Sequence, residues 1–205
     1  SIAVDLASQD RDAQHFKGLA NAVLRRLAEA RDAILADQDE AVLNAPRWLA
    51  ANWAKAYGAE TARAIALARL EEAPLDLSAR DDPAALAERL GGLLLPTGTV
   101  RLMPGGAIDA LDGFAEGAFW VQDAAAALPA LLLGDVAGKA VADLCAAPGG
   151  KTLQLAAAGA LVTAVDHSAE RLKRVEQNLA RTGLEARLVA ADALAFDPGE
   201  LYDAV

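Results

Sequence analysis

Between Phe16 and Leu27 the apolar residues fall three and four apart: Phe16, Leu19, Ala20, Val23, Leu24 and Leu27. That spacing predicts a helix with one apolar stripe. Asn44 and Pro46 open a second helix that Gly58 ends, with Trp48, Leu49, Trp53 and Tyr57 expected to face inward. A third runs from Ala59 to Glu72, so residues 1–72 read as a helical segment of three helices. The pattern then changes. Leu75-Asp76-Leu77-Ser78 alternates as an edge strand would, and Asp82-Pro83 starts a helix with Leu86 and Leu90 inward and Gly91-Gly92 at its end. Thr99 to Met103 is strand-like, and glycine turns follow at Gly105-Gly106 and Gly113. Residues 73–122 therefore predict a small α+β module. Gln122-Asp123 then caps a helix over 124–133, kinked or interrupted at Pro129.

The last third, 123–205, alternates strand and helix. Ala140–Leu144 is a short apolar run that reads as a buried parallel strand and stops at Pro148-Gly149-Gly150. Leu153, Leu155, Ala156 and Ala157 then allow a helix. A second β-branched run, 161–165, ends at Asp166. Residues 169–182 have helical spacing, with Leu172, Val175 and Leu179 on one face and Gly183 as the stop. A third run, Ala186 to Ala190, leads to Asp192, and Tyr202–Val205 looks like the start of a fourth strand. Strand, glycine turn and helix let backbone N–H groups face a ligand at a helix N-terminus. Gly149 and Gly150 lack Cβ, so the chain turns sharply and a ligand can come close to the backbone. An acid at the tip of the second strand can accept hydrogen bonds from both hydroxyls of a ribose. Two nucleotide motifs fail here. Gly150-Lys151-Thr152 ends like a Walker A loop, but its first glycine would fall at Cys145; the dinucleotide fingerprint fails over 145–150, Cys-Ala-Ala-Pro-Gly-Gly.

Composition narrows the class. With 205 residues, 54% of them hydrophobic, the chain can hold one large domain or two small ones, and alanine and leucine must do most of the packing. No apolar run approaches the roughly 20 residues a membrane helix needs. A single cysteine excludes an internal disulfide and fits a reducing, cytoplasmic setting. Formal net charge is −10, against the basic footprint usual for nucleic-acid binders. The excess acid sits in the middle: residues 1–70 balance at nine of each sign, 71–138 carry three basic against eleven acidic, and 139–205 seven against nine. Arg25-Arg26 and Lys173-Arg174 remain as local basic candidates, each read first as a solvated helix face.

The run Asp143-Leu-Cys-Ala-Ala-Pro-Gly-Gly-Lys-Thr152, with Asp166 and Asp192, closely resembles the Sun/Nol/Nop family of RNA cytosine-5 methyltransferases, most closely its bacterial members that act on small-subunit ribosomal RNA. Gly117-Ala-Phe-Trp-Val-Gln-Asp123 resembles the segment that precedes the family's core, and Asn21-Ala-Val-Leu-Arg25 and Pro46-Arg-Trp-Leu49 resemble its NusB-like helical extension. The resemblance implies an α/β, Rossmann-like methyltransferase core that uses S-adenosyl-L-methionine, here its N-terminal half only, behind an α+β module and an incomplete helical extension. It implies that Cys145, Ala146, Ala147, Pro148, Gly149, Gly150 and Lys151 wrap the cofactor, that Asp166 holds its ribose, and that Asp192 lies near its adenine. Ribosomal RNA is the implied partner. No metal is implied, and the oligomeric state is not legible.

Carbon 5 of cytosine is a poor nucleophile until a thiolate adds at carbon 6. The family's catalytic cysteines lie past its fourth strand, so the nucleophile is expected after Val205 and this stretch alone is expected to be inactive. Cys145 belongs to the cofactor loop and reads as a small residue packing a tight turn. Lys151 is expected to steady the loop or the methionine carboxylate, since S-adenosylmethionine has no phosphate. His15 and His167 receive no role. Methyl transfer to a substrate other than RNA and a catalytically silent RNA-binding protein remain the competing expectations.

Overall fold

Residues 2–103, 105–197, 199 and 201–205 are described by the computed structural model. Contacts divide the chain into two units, 1–72 and 73–205. The first holds α1 (Ile2–Gln9), α2 (Lys17–Ala36), α3 (Glu40–Leu43), α4 (Arg47–Tyr57) and α5 (Ala59–Ala68). Among the described residues there are thus five α-helices where periodicity gave three. α3 is too short to show a period, and α1 precedes the stripe that was legible. Small side chains make this core: Ala41, Ala45 and Ala66 are buried, with Ala50 and Trp53 against them. Asp39 caps α3 through the Ala41 amide and accepts from Arg63 Nη1 of α5 at 2.7 Å. The expected inward set is corrected in two places. Trp48 is 68% exposed and Tyr57 63%, because α4 packs through Ala50 and Trp53. The α2 stripe is real as a pattern, yet α2 buries none of its residues.

In the second unit β1 (Leu75–Ala79), α6 (Pro83–Leu90), β2 (Leu93–Leu94), β3 (Val100–Leu102) and β4 (Phe119–Val121) come first. The four strands form one antiparallel sheet in the order β2-β3-β1-β4. β1 is therefore interior, which corrects the edge-strand expectation. Its alternation has another cause. Leu77 faces a core with Leu86, Val100 and Phe119, while buried Asp76 faces Arg101, its register partner, in a bidentate pair at 2.7 Å. Asp76 also accepts from the Ala124 amide at 3.0 Å. A buried carboxylate so paired imitates the pattern of a wet face.

Asp123 accepts from the Ala125 and Ala126 amides and starts α7 (Ala124–Leu131), which runs through Pro129 and ends two residues later. Next come β5 (Ala140–Asp143), α8 (Gly150–Ala157), β6 (Leu161–Asp166), α9 (Ala169–Thr182) and β7 (Arg187–Ala190). The three strands are parallel, in the order β5-β6-β7. Ala204 then bridges Val141 in parallel, so the chain returns to the free side of β5. Strand order reverses at β5, and open α/β sheets bind ligands at such a point, beyond the strands' carboxyl ends.

The antiparallel sheet and the parallel one are locked together. Trp120 of β4 is buried among Ala147, Leu153, Leu172, Val175 and Leu179. Arg80 donates to Thr182 O at 3.2 Å, and Arg181 Nη1 donates to Phe114 O and Phe119 O, both at 2.9 Å. Gly117 (φ +68°) lies so close that a Cβ there would be 2.0 Å from Arg181 O. We therefore expect Gly117→Ala to cost about 3 kcal/mol, from backbone strain plus overlap. Gly138→Ala, at a similar φ of +72° with nothing within 4 Å, is expected to cost about 1 kcal/mol. Urea titration of both variants checks this; equal losses would contradict a tight seam at Gly117.

Candidate functional site

The expected cofactor loop is the connection from β5 to α8. Ala146, Ala147 and Gly149 are buried in it, Gly150 is half-buried, and Cys145, Pro148 and Lys151 are exposed. Its backbone is held on every side. Ala146 N donates to Val165 O at 3.0 Å, and Gly149 N donates to Ala146 O at 2.7 Å. Ala147 N donates to Asp166 Oδ2 at 3.1 Å. From α9, Arg171 Nη2 donates to Ala147 O at 2.7 Å and Asn178 Nδ2 to Pro148 O at 3.3 Å. Arg171, Val175 and Asn178 stand four and three apart, so one face of α9 backs the loop. The sequence reading missed Arg171 and Asn178. Their polar, outward-looking spacing beside the apolar stripe was the only signal.

At Gly149 the backbone itself requires glycine. Gly149 has φ +110°, and a Cβ on it would meet Val175 Cγ1 at 3.2 Å; a Cβ on Gly150 would meet Gln122 Cγ at 3.5 Å. Gly149 thus serves the turn and its packing against Val175, whereas at Gly150 an added Cβ would make an ordinary contact with Gln122. Cys145 also departs from expectation. It is exposed, so it does not fill the turn.

Asp166 ends β6 and is 2% exposed. Oδ1 accepts from Ser168 N at 3.0 Å while Oδ2 accepts from Ala147 N, and Arg171 Nη1 lies 3.5 Å from Oδ2. An ionised carboxylate offers about four lone-pair sites, so acceptor capacity remains for a further donor. Burial pushes its pKa up, but the Ser168 and Ala147 amides, with Arg171 and His167 3.5 Å away, outweigh burial and hold it below the ordinary value. The main chain of the same residue reaches the third strand's end, as Ala191 N donates to Asp166 O at 3.1 Å. Asp192 follows, exposed, with Oδ1 accepting from Leu194 N at 2.9 Å. The loop, Asp166 and the segment bearing Asp192 are thus joined in one row across three adjacent strand ends.

At the start of α8 no side chain caps the helix, and Thr152 Oγ1 donates to buried Asp143 Oδ2 at 2.7 Å, tying the first turn to the end of β5. The first amides of a helix lack intrahelical partners, so this turn offers N–H donors and a positive dipole end to an anionic group. A donor set at one end of the row and carboxylates along it fit an amino-acid carboxylate, a ribose and an amine. That is the chemistry of S-adenosylmethionine, and the residues present fit it. Among the described residues no group of three or more His, Cys, Asp or Glu side chains could hold a metal. Among the described residues no helix is long and apolar enough to cross a membrane.

A Rossmann-like sheet with this row at its strand ends has the architecture of a methyltransferase core. Residues 130–205 match the family model described as 16S rRNA methyltransferase RsmB/F. Over 193 residues the chain is 40% identical to ribosomal RNA small subunit methyltransferase B of Pseudomonas putida, covering 86% of this chain and 44% of that protein. It is 36% identical over 210 residues to the Pasteurella multocida protein of the same name, covering 88% and 43%. A solved methyltransferase homolog protein from Pyrococcus horikoshii superposes with a TM-score of 0.58 at 27% identity, over 67% of this chain and 50% of that one. The chain is similar to the RsmB/F type of methyltransferase over residues 130–205. It spans less than half the length of these curated relatives.

Asp166 gives the site a pH signature. Its folded pKa lies below its ordinary value of 3.8, so the stability it contributes is complete above that value and is lost as pH falls through the lower folded one. Asp166→Asn should therefore be destabilised most at pH 7, with the gap to wild type closing under acid. Urea midpoints at pH 7 and at pH 3 measure it; a gap that widens under acid would contradict this reading.

Proposed function

We propose that this chain carries the cofactor half of a methyltransferase that forms 5-methylcytosine in small-subunit (16S) ribosomal RNA. The observation that carries the reading is the bonded row Ala147–Asp166–Ala191, which sets the loop and two acids side by side where strand order reverses. In this reading the loop Cys145–Lys151 wraps S-adenosyl-L-methionine. The first-turn amides of α8, with Lys151 beside them, take its carboxylate. Asp166 accepts from the ribose hydroxyls with the lone pairs its amide partners leave free, and Asp192 accepts from the adenine amine. The cofactor supplies the methyl group. Cys145 stays a loop residue, and the nucleophile is assigned to a cysteine outside residues 1–205. Residues 1–72 are assigned to a NusB-like extension and 73–122 to a module that grips RNA, ahead of the core at 123–205.

The charge of −10, concentrated in residues 71–138, favours one second reading, methyl transfer to a substrate other than RNA. Binding of labelled small-subunit ribosomal RNA, measured against salt, separates the two. The cofactor assignment has its own test. Calorimetry with S-adenosylhomocysteine should give saturable heat, and Asp166→Ala and Asp192→Ala should each weaken binding about tenfold, the loss of one net hydrogen bond. Unchanged affinity in both variants would overturn the ribose and adenine roles.

A further inference from the structure

Gln122 is the residue the cofactor reading leaves unused. It was expected to share the capping of α7 with Asp123, but its side chain turns the other way. It is 5% exposed and bonded at both ends of its amide. Oε1 accepts from Trp120 Nε1 and from Ser78 Oγ, both at 2.9 Å. Nε2 donates to Gln154 Oε1 of α8 at 2.7 Å, and Gln154 Nε2 donates on to Ala127 O of α7 at 3.0 Å. Between those bonds the Gln122 side chain lies against Gly150, where an added Cβ would meet its Cγ at 3.5 Å and its Cδ at 3.6 Å. Gly150 and Gln154 are one turn apart on α8. Gln122 thus runs along the first turn of the helix whose N-terminal amides face the loop.

We propose that Gln122 is a positioning residue for the cofactor's amino-acid end, because it fixes the first turn of α8 from behind through Gly150 and Gln154. The inference rests on the cofactor reading above. The polarity of the relay makes this specific. Two donors, an indole and a hydroxyl, saturate Oε1 and so orient the amide, which leaves Nε2 as the only end that can meet Gln154. Gln154 is oriented in turn by the need to donate to a helix carbonyl. A chain of amides with one consistent direction, anchored at buried Gln122, holds its members to one geometry, and a link left unpaired there is costly. Trp120 and Ser78 belong to the antiparallel sheet, so that sheet sets the pose of α8 through the relay, besides packing Trp120 against Ala147. Asp166 and Asp192 lie at the other strand ends and are outside the relay.

That division gives a test that a general loss of stability cannot imitate. Two probes are titrated into the 205-residue chain: S-adenosylhomocysteine, which has the amino acid, and 5′-methylthioadenosine, which lacks it. Gln122→Met keeps length and burial but removes the relay. It should lose about tenfold in affinity for S-adenosylhomocysteine and stay within about twofold for methylthioadenosine. Gln122→Glu provides a near-isosteric second variant should the methionine variant fail to fold. It places an acceptor against Gln154 Oε1, and the same selective loss is expected. Unchanged S-adenosylhomocysteine affinity, or equal losses for both probes, would overturn the positioning role while leaving the cofactor reading intact. Wild type that binds neither probe would overturn both.

Discussion

One carboxylate, that of Asp166, ties the second parallel strand to the loop that follows the first. Loops carry backbone amides and carbonyls that must find partners, and an eight-residue helix such as α8 cannot fix its own entry. Here the entry is fixed from outside. Asp166 takes the Ala147 amide, Arg171 takes the Ala147 carbonyl, and Asn178 takes the carbonyl of Pro148. The two peptide groups that flank Ala147 are each held, so the loop is set by the protein's own groups. A site assembled in advance spends less of its binding energy on ordering. The same carboxylate keeps acceptor capacity free for a further donor while it holds the fold.

The antiparallel sheet supports this arrangement from behind. Trp120 fills the space beneath Ala147 and Leu153, and Arg80 and Arg181 bind across the seam at the end of α9. Asp76 joins that sheet to the first amide of α7. Residues 73–122 keep a core of their own around Leu77, Leu86, Val100 and Phe119, and lend Trp120 to the cluster beneath α8 and α9. Contacts group 73–205 as one unit.

What could be read from sequence followed from physics that acts locally. The strand–glycine–helix run and the acids at strand tips are set by period and turn chemistry over a few residues. β5, α8, β6, α9 and β7 accordingly lie within two or three residues of their expected limits. Errors appeared where a long-range partner decided the matter. Asp76 looked solvent-facing because its partner Arg101 stands 25 residues away in the chain. Gln122 looked like a cap, although Ser78 and Gln154 claim it. Gly149 looked open to a ligand, and its φ of +110° with Val175 3.2 Å from an added Cβ gives that glycine a long-range packing reason as well. The exposure of Cys145 and the roles of Arg171 and Asn178 depend on how α9 lies against the loop, which no local pattern encodes.

The account stands on three neighbouring strand ends lining a single adenosyl site. Amide chemical-shift mapping during titration with S-adenosylhomocysteine tests it most directly. The predicted result is a contiguous set of shifts at 145–152, 166–168 and 191–193, saturating together with one dissociation constant. Shifts confined to one of those segments, or concentrated in α1 to α5, would contradict it.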